Sequence, residues 1–404
     1  MSLRRVPPVL SPVAPGSLVS GALVSLGLGR PAGPAVAAQL RRSADASAIA
    51  LTDSGTSALV LALRASAGVG GVVAMPAWGC IDLSAAAAFA GVRVRLYDLD
   101  PETLSPDLDS LRETLSRGVD AIVVAHFFGY PADLIGVRAL ADAHGVPVVE
   151  DAAQAAGGAL RETPLGGFGD LVIRSFGRGK GTTGGTGGAL LARGDRFASA
   201  VAHAAATLPR PSRGARHVIV TAAQWLLARP SLYAIPASLP GLRLGEMIYH
   251  PAREPAGMPE AALAILRGSL AIDAPEVARR RANAARLARY VADRAAGWRR
   301  VRPVAGGRPG YLRYPVRARG DEAAPESALG VVRPYPLTLA EHEPMRTTLL
   351  PGERAGAGAW ELSRRLLVLP THSRLSRADV ARLGRWLGAP EAVGVPVSPA
   401  NGVA

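Results

Sequence analysis

Between residues 48 and 192, short β-type runs alternate with Ala- and Leu-rich stretches of helical length. The runs are 48–52 (AIALT), 71–75 (GVVAM), 92–98 (VRVRLYD), 121–127 (AIVVAHF), 146–151 (VPVVED), 170–176 (DLVIRSF) and 188–192 (GALLA). The stretches at 57–64, 81–90, 108–115 and 134–144 suit crossover helices, so the pattern predicts one seven-stranded, mostly parallel α/β sheet. Residues 201–258 lose this pattern and are Pro-rich, which marks a boundary or an insertion. Leu263, Leu266 and Leu270, then Leu287, Tyr290 and Val291, return at helical spacing, so 259–297 reads as one or two helices. Strand-like pieces at 311–317 and 329–333 and helices at 360–366 and 377–387 complete a smaller α+β domain. The expected division is a 1–47 arm, a 48–200 large domain, a 201–258 insertion, a 259–390 small domain and a fraying 391–404 tail.

The apolar N-terminal stretch carries Arg4 and Arg5 and is interrupted by Pro7, Pro8, Pro12 and Pro15. It reads as an extended arm, far from the roughly 20 uninterrupted apolar residues of a spanning helix. The apolar segment 218–242 is broken by Pro230, Pro236 and Pro240 and contains Arg229, so it reads as a packed insertion rather than a membrane anchor. Residues 201–258 are expected over the mouth of a site or along a dimer seam.

Composition narrows the class. At 49% hydrophobic and 19% charged, 404 residues are enough for two or three globular domains despite 46 Gly and 33 Pro. A single cysteine, Cys80, excludes an intramolecular disulfide or a multi-thiolate metal site built by this chain alone, and fits a reducing cytoplasm. No paired histidine spacing marks a metal site; His126 and His372 read as packing or hydrogen-bonding residues. A net charge of +14 suits nucleic acid or an acidic membrane, and equally an arginine-favouring base composition. The arginine-dense run 279–300 reads as the solvated face of an amphipathic helix rather than a nucleic-acid surface. One lysine, Lys180, stands against 45 arginines, which singles it out for chemistry that a guanidinium cannot perform, such as forming an imine.

The Gly-rich GRGKGTTGGTGG fails the Walker pattern, because Arg174 stands where the first Gly belongs and Gly181 follows the lysine. A Rossmann fingerprint after the first strand is missing too. The stretch DSGTSALVLAL is a better phosphate candidate, since a helix begins where the first strand ends; a capped start without ligand would look the same. In VVEDAAQAAGG, Asp151 leaves a buried strand at the sheet's carboxyl edge, as a site residue or as a helix cap. Lys180 follows the next strand, five residues after Ser175. An acid, a helix start, a hydroxyl and the only lysine converge at one edge, as pyridoxal phosphate requires. The lysine makes the imine, the acid keeps the pyridine nitrogen protonated and the helix start holds the phosphate.

These segments resemble the DegT/DnrJ/StrS aminotransferases, fold-type-I pyridoxal 5′-phosphate enzymes acting on nucleotide-linked sugars. The resemblance is carried in family order by GTSAL (55–59), PAWGC (76–80), YDLDPETLSPD (97–107), HFFGYPADL (126–134), EDAAQAAGG (150–158), GGFGD (166–170), SFGRGKGTTGGTGG (175–188) and LPTHSRLSRADV (369–380). It implies that Lys180 is the Schiff-base lysine and Asp151 the pyridinium partner, with Gln154 on the ring hydroxyl. It also implies a phosphate site made by Gly55, Thr56, Ser57 and the Ser175 hydroxyl. Many members carry a stacking aromatic where Cys80 stands, which leaves Trp78 or Cys80 facing the ring. The segment that carries an Asn and an Arg before a Met in other members has Pro255 and Gly257 here.

The resulting expectation is a cytoplasmic homodimeric aminotransferase moving an amino group from glutamate or glutamine to a nucleotide-linked ketosugar. It binds neither nucleic acid nor membrane. The alternatives are a cyclitol or other non-nucleotide ketone as acceptor, or a non-catalytic Arg-rich binding protein on the same fold.

Overall fold

The computed structural model describes residues 4–239, 249–291, 297–320 and 324–388. Two helices, α1 (Pro15–Ser25) and α2 (Gly33–Ala44), precede the alternating part: β1 (Ala48–Thr52), α3 (Gly55–Ser66), β2 (Val72–Pro76), α4 (Ile81–Ala90), β3 (Arg93–Tyr97) and α5 (Leu108–Ser116). It continues through β4 (Ala121–Ala125), α6 (Leu134–His144), β5 (Val148–Asp151), the short pairs β6 (Ala159–Leu160) and β7 (Thr163–Pro164), β8 (Leu171–Ser175) and β9 (Gly188–Ala192). Side-chain caps set the crossover helices where the sequence breaks its apolar rhythm. Asp133 accepts from Gly136 N–H at 3.1 Å to start α6, and Gly145, at φ 66°, ends it in the left-handed conformation that a Cβ disfavours.

Seven strands form one sheet in the order β1-β9-β8-β5-β4-β2-β3. β9 runs against both neighbours while β8, β5, β4, β2 and β3 are mutually parallel. Helices on both faces bury β4 and β9 along their whole length, which explains their continuous apolar runs. The carboxyl ends of β1, β2, β4, β5 and β8 and the start of β9 therefore share one edge.

Beyond β9 come α7 (Ala198–Thr207), α8 (Ala215–Leu227), α9 (Ala234–Ala237), α10 (Glu260–Ala271) and α11 (Asp273–Ala288). The rest is β10 (Trp298–Arg300), β11 (Gly307–Arg308), β12 (Arg313–Ala318), α12 (Glu343–Arg346), α13 (Ala357–Arg365), β13 (Leu366–Pro370) and α14 (Arg377–Gly388). β10, β12 and β13 make an antiparallel sheet whose own apolar cluster includes Leu287, Trp298, Val316, Leu369 and Leu383. A large α/β layer and a smaller α+β layer thus stand side by side.

Several expectations are corrected. The N-terminal arm is extended only up to Ala14, because Pro15 occupies the first turn of α1, where its missing N–H costs nothing. The 201–258 segment, marked by the sequence only as a Pro-rich boundary or insertion, carries helices: Pro209, Pro211 and Pro230 fall between them, and Pro236 lies inside the short α9. Residues 329–333 form no strand; a 3-10 turn, Ser327–Leu329, precedes an isolated bridge from Val332 to Val368. The helix expected to reach Leu366 ends at Arg365; Leu366 opens strand β13, which pairs along β12 and which the sequence reading did not include. The 391–404 tail and part of the 201–258 segment, 240–248, lie outside the described residues. Among the described residues no helix is long and apolar enough to cross a membrane.

Candidate active site

At the shared sheet edge lies a cavity of about 410 Å³, lined by Gly55, Thr56, Cys80, Asp151, Gln154, Ser175 and Lys180 among others. They come from the ends of several elements and from the loops that follow them. Asp151 ends β5 and Ser175 ends β8, Gly55 and Thr56 open α3 after β1, and Cys80 is the N-cap of α4 after β2.

The start of α3 is arranged around its backbone donors. Ser54 caps it, accepting from Ser57 N–H at 3.0 Å, and the Ser57 hydroxyl lies 2.9 Å from the Ser54 hydroxyl. Ser57 is therefore buried in the cap and its side chain does not line the cavity. Gly55 packs directly on Ser175: a Cβ on Gly55 would come within 2.7 Å of Ser175 Cβ and 2.8 Å of its Oγ. Only glycine leaves that corner open, so the first N–H groups of α3 and the Ser175 hydroxyl meet in one concave surface suited to an anion.

Asp151 Oδ1 accepts from Ala153 N–H at 2.9 Å. Burial raises its pKa, against the opposing pull of that hydrogen bond and of the Lys180 charge. Lys180 lies on the same wall, half-buried. Gln154 is held at both ends of its amide: Nε2 donates to Tyr335 Oη at 2.6 Å and Oε1 accepts from Phe128 N–H at 3.2 Å.

Cys80, rather than Trp78, faces the cavity. Trp78 is fully buried, with Nε1 donating to the Tyr335 carbonyl at 2.9 Å and its ring packed on Phe127 and Tyr335. Two residues along, the Cys80 thiol donates to Asp82 Oδ2 at 3.4 Å; burial and then the Asp82 charge push its pKa far up, so it remains a thiol. In place of an aromatic platform this position offers a small polarizable group. His126 also lines the cavity and is tied behind it to Glu150.

A second chamber of about 560 Å³ adjoins the first and shares Cys80, Gln154, Arg178 and Lys180 with it. Its walls come from the arm (Val9), from α8 and the residues after it (Val220, Leu227, Tyr233) and from the small domain (Leu312, Arg313, Val332, Tyr335). Sequence reasoning missed Tyr335, Arg313 and Arg178. Tyr335 sits in an aperiodic loop, but a cation inside the strand YLRYPV was a readable signal.

The residues that meet here fall within a recognisable stretch. Residues 36–208 match the DegT/DnrJ/EryC1/StrS aminotransferase family. Over that stretch the chain is similar to this family. A curated relative, the L-glutamine:2-deoxy-scyllo-inosose aminotransferase of Streptoalloteichus tenebrarius, is 36% identical over 170 residues, 40% of each chain. The UDP-N-acetyl-3-dehydro-alpha-D-glucosamine 3-aminotransferase of Acidithiobacillus ferrooxidans is 36% identical over 124 residues, 30% of this chain and 34% of its own. The chain thus spans about two fifths or less of the length of these curated relatives. Among solved structures, the aminotransferase TlmJ from Streptoalloteichus hindustanus superposes with a TM-score of 0.74 over 95% of this chain and 98% of that one, at 24% identity. That likeness establishes the fold, which extends well past the DegT/DnrJ/EryC1/StrS stretch and takes in the small domain.

Proposed function

We infer that the protein is a pyridoxal 5′-phosphate-dependent aminotransferase that moves an amino group from glutamate or glutamine to a keto group of a nucleotide-linked sugar. The observation that carries this reading is the meeting of the chain's only lysine with the buried Asp151 carboxyl and the Gly55–Ser175 corner in one cavity. The residues fit the cofactor: a glycine cradle that a Cβ would fill, a hydroxyl and helix N–H groups for a phosphate, one carboxylate and one amine.

When bound there, pyridoxal phosphate supplies an aldehyde that holds amines and a ring that takes up the electron pair left when a neighbouring C–H bond breaks. The protein's own groups do the rest. Gly55 and Thr56 N–H and Ser175 Oγ hold the phosphate. The Asp151 carboxylate would keep a proton on the ring nitrogen. Gln154, braced between Phe128 and Tyr335, presents a fixed amide edge beside the ring. Lys180 Nζ would hold the cofactor, and its free amine would be the base for the donor's α-proton. No arginine could do this, since a guanidinium stays protonated and is a poor nucleophile.

A second reading, a cyclic ketone without a nucleotide as acceptor, is favoured by the apolar walls of the second chamber and by the name of the S. tenebrarius relative. A homodimer, in a reducing cytoplasm, belongs to the same proposal. Exposed Val19 and Leu23 of α1 and Ile219 and Leu226 of α8 offer apolar surface for a second copy. The test is to load purified protein with pyridoxal phosphate and follow its colour. Discharge by glutamate or glutamine, then return on adding a nucleotide-linked ketosugar, supports the reading. Return only with a cyclitol ketone supports the second, and a colour indifferent to both donors refutes each.

A further inference from the structure

Arg313, the first residue of β12, points a cation into the second chamber and has no anion to meet it. Its Nε is buried without a hydrogen-bond partner, and it makes no ion pair among the described residues. What holds it is the face of Phe128, 5.9 Å from the guanidinium carbon. Phe128 itself has φ 56° and ψ 22°, a left-handed conformation costly for an aromatic residue; Gln154 Oε1, accepting its N–H, helps to fix it. A cation–π contact with Phe offsets only part of the cost of removing a cation from water. The remainder calls for an oxyanion. Gln224 Oε1, on the opposite wall from α8, is also buried without a partner, so the chamber's occupant should bring a hydrogen-bond donor as well.

The walls between these polar ends are aliphatic, including Val9, Leu227, Leu312 and Val332. Arg178, which is exposed, and Lys180 line the chamber where it meets the first cavity, so Arg313 is, among the described residues, the one guanidinium set among the aliphatic walls. An amino acid brings one carboxylate at its α-carbon, N–H donors and a methylene stretch, and the chamber opens onto Lys180. We propose that Arg313 is the carboxylate receptor for the amino donor, so that the second chamber selects α-amino acids over simple amines. This rests on the aminotransferase reading above.

The test follows discharge of the cofactor colour in single turnovers of the holoenzyme. Arg313→Gln should lower kcat/KM for glutamate or glutamine about 50-fold, as expected for a lost charge-assisted hydrogen bond. Arg313→Lys should recover part of that loss. Propylamine, which has no carboxylate, should react equally slowly with wild type and both variants. In the wild type, maleate should compete with the donor. If the Gln variant does not fold, as shown by circular dichroism, the maleate competition and the Lys variant decide. Equal donor kinetics in wild type and variants, or no competition by maleate, overturns the assignment. So does competition by UDP that Arg313→Gln abolishes while donor kinetics hold, which would give the guanidinium to a diphosphate. If neither donor discharges the wild-type colour at any concentration, the aminotransferase reading itself falls, and this assignment with it.

Discussion

His126 Nε2 lies 2.9 Å from Glu150 Oε1, with both side chains fully removed from solvent. The ring's other nitrogen, Nδ1, accepts from Ala132 N–H at 3.1 Å, so the tautomer is set: Nε2 carries the hydrogen and donates to the carboxylate. Glu150 also accepts from Gly166 N–H at 2.6 Å, Phe168 N–H at 2.9 Å and Gly169 N–H at 2.8 Å. Strand alternation turns Glu150 away from the cavity while its neighbour Asp151 turns toward it. One residue thus anchors the loop beneath the site and the next serves the site.

Glu150→Gln should destabilise the fold by about 2–3 kcal/mol, because an amide N–H₂ would face backbone donors. Urea unfolding of the two proteins checks this. The difference should depend on pH. Burial alone would raise the Glu150 pKa, but the His126 bond and the backbone donors bring it below the ordinary value of a glutamate. Its contribution is therefore complete above that value and lost as pH falls through the lower folded-state pKa, so the two unfolding curves should converge in acid.

Gly55→Ala should weaken cofactor binding by about tenfold or more, since its Cβ would press on Ser175 Cβ and Oγ at the proposed phosphate corner. Titrating the apoprotein with pyridoxal phosphate, read by absorbance, gives the affinity directly; an unchanged value would remove the phosphate from this corner.

The large sheet was legible in the sequence because its strands are short apolar runs, several of them ended by Pro or Asp, separated by helix-length stretches mostly rich in Ala and Leu. Asp151, Ser175 and Lys180 were legible because they terminate or follow such runs. Helix α8 and strand β13 were not legible in the sequence for one reason. Proline between helices looks like proline within a loop, and five apolar residues carry no period; only the partners, α1 and α10 for α8 and β12 for β13, distinguish the choices. Trp78 was a plausible platform by spacing alone, yet its indole N–H found the Tyr335 carbonyl in the core.

Trp78→Phe follows from that placement. Losing the buried Nε1 bond should cost about 1–3 kcal/mol, because the Tyr335 carbonyl is left unsatisfied. Cofactor affinity should change by less than about threefold. Chemical denaturation and cofactor titration on the same variant separate the two effects; a large loss of affinity with unaltered stability would return Trp78 to the ring.

Asp151→Asn keeps the shape of the side chain and removes the charge that would hold a proton on the ring nitrogen. The variant should bind cofactor and lose about 100-fold or more in amino transfer. Single-turnover discharge of the cofactor colour measures this, and near-normal rates would be incompatible with the assigned role.

The central claim is that Lys180 carries the cofactor, and the sequence makes its test unusually direct, because there is one lysine in the chain. Borohydride reduction of the pyridoxal-phosphate-loaded protein, followed by peptide mass mapping, should place the cofactor-derived mass on the peptide containing Lys180 and nowhere else. Lys180→Arg, which keeps the charge, should fold, bind the cofactor without a covalent link and acquire no such mass. An unlabelled Lys180 in protein shown to hold the cofactor, or normal amino transfer by the Arg variant, would contradict the account.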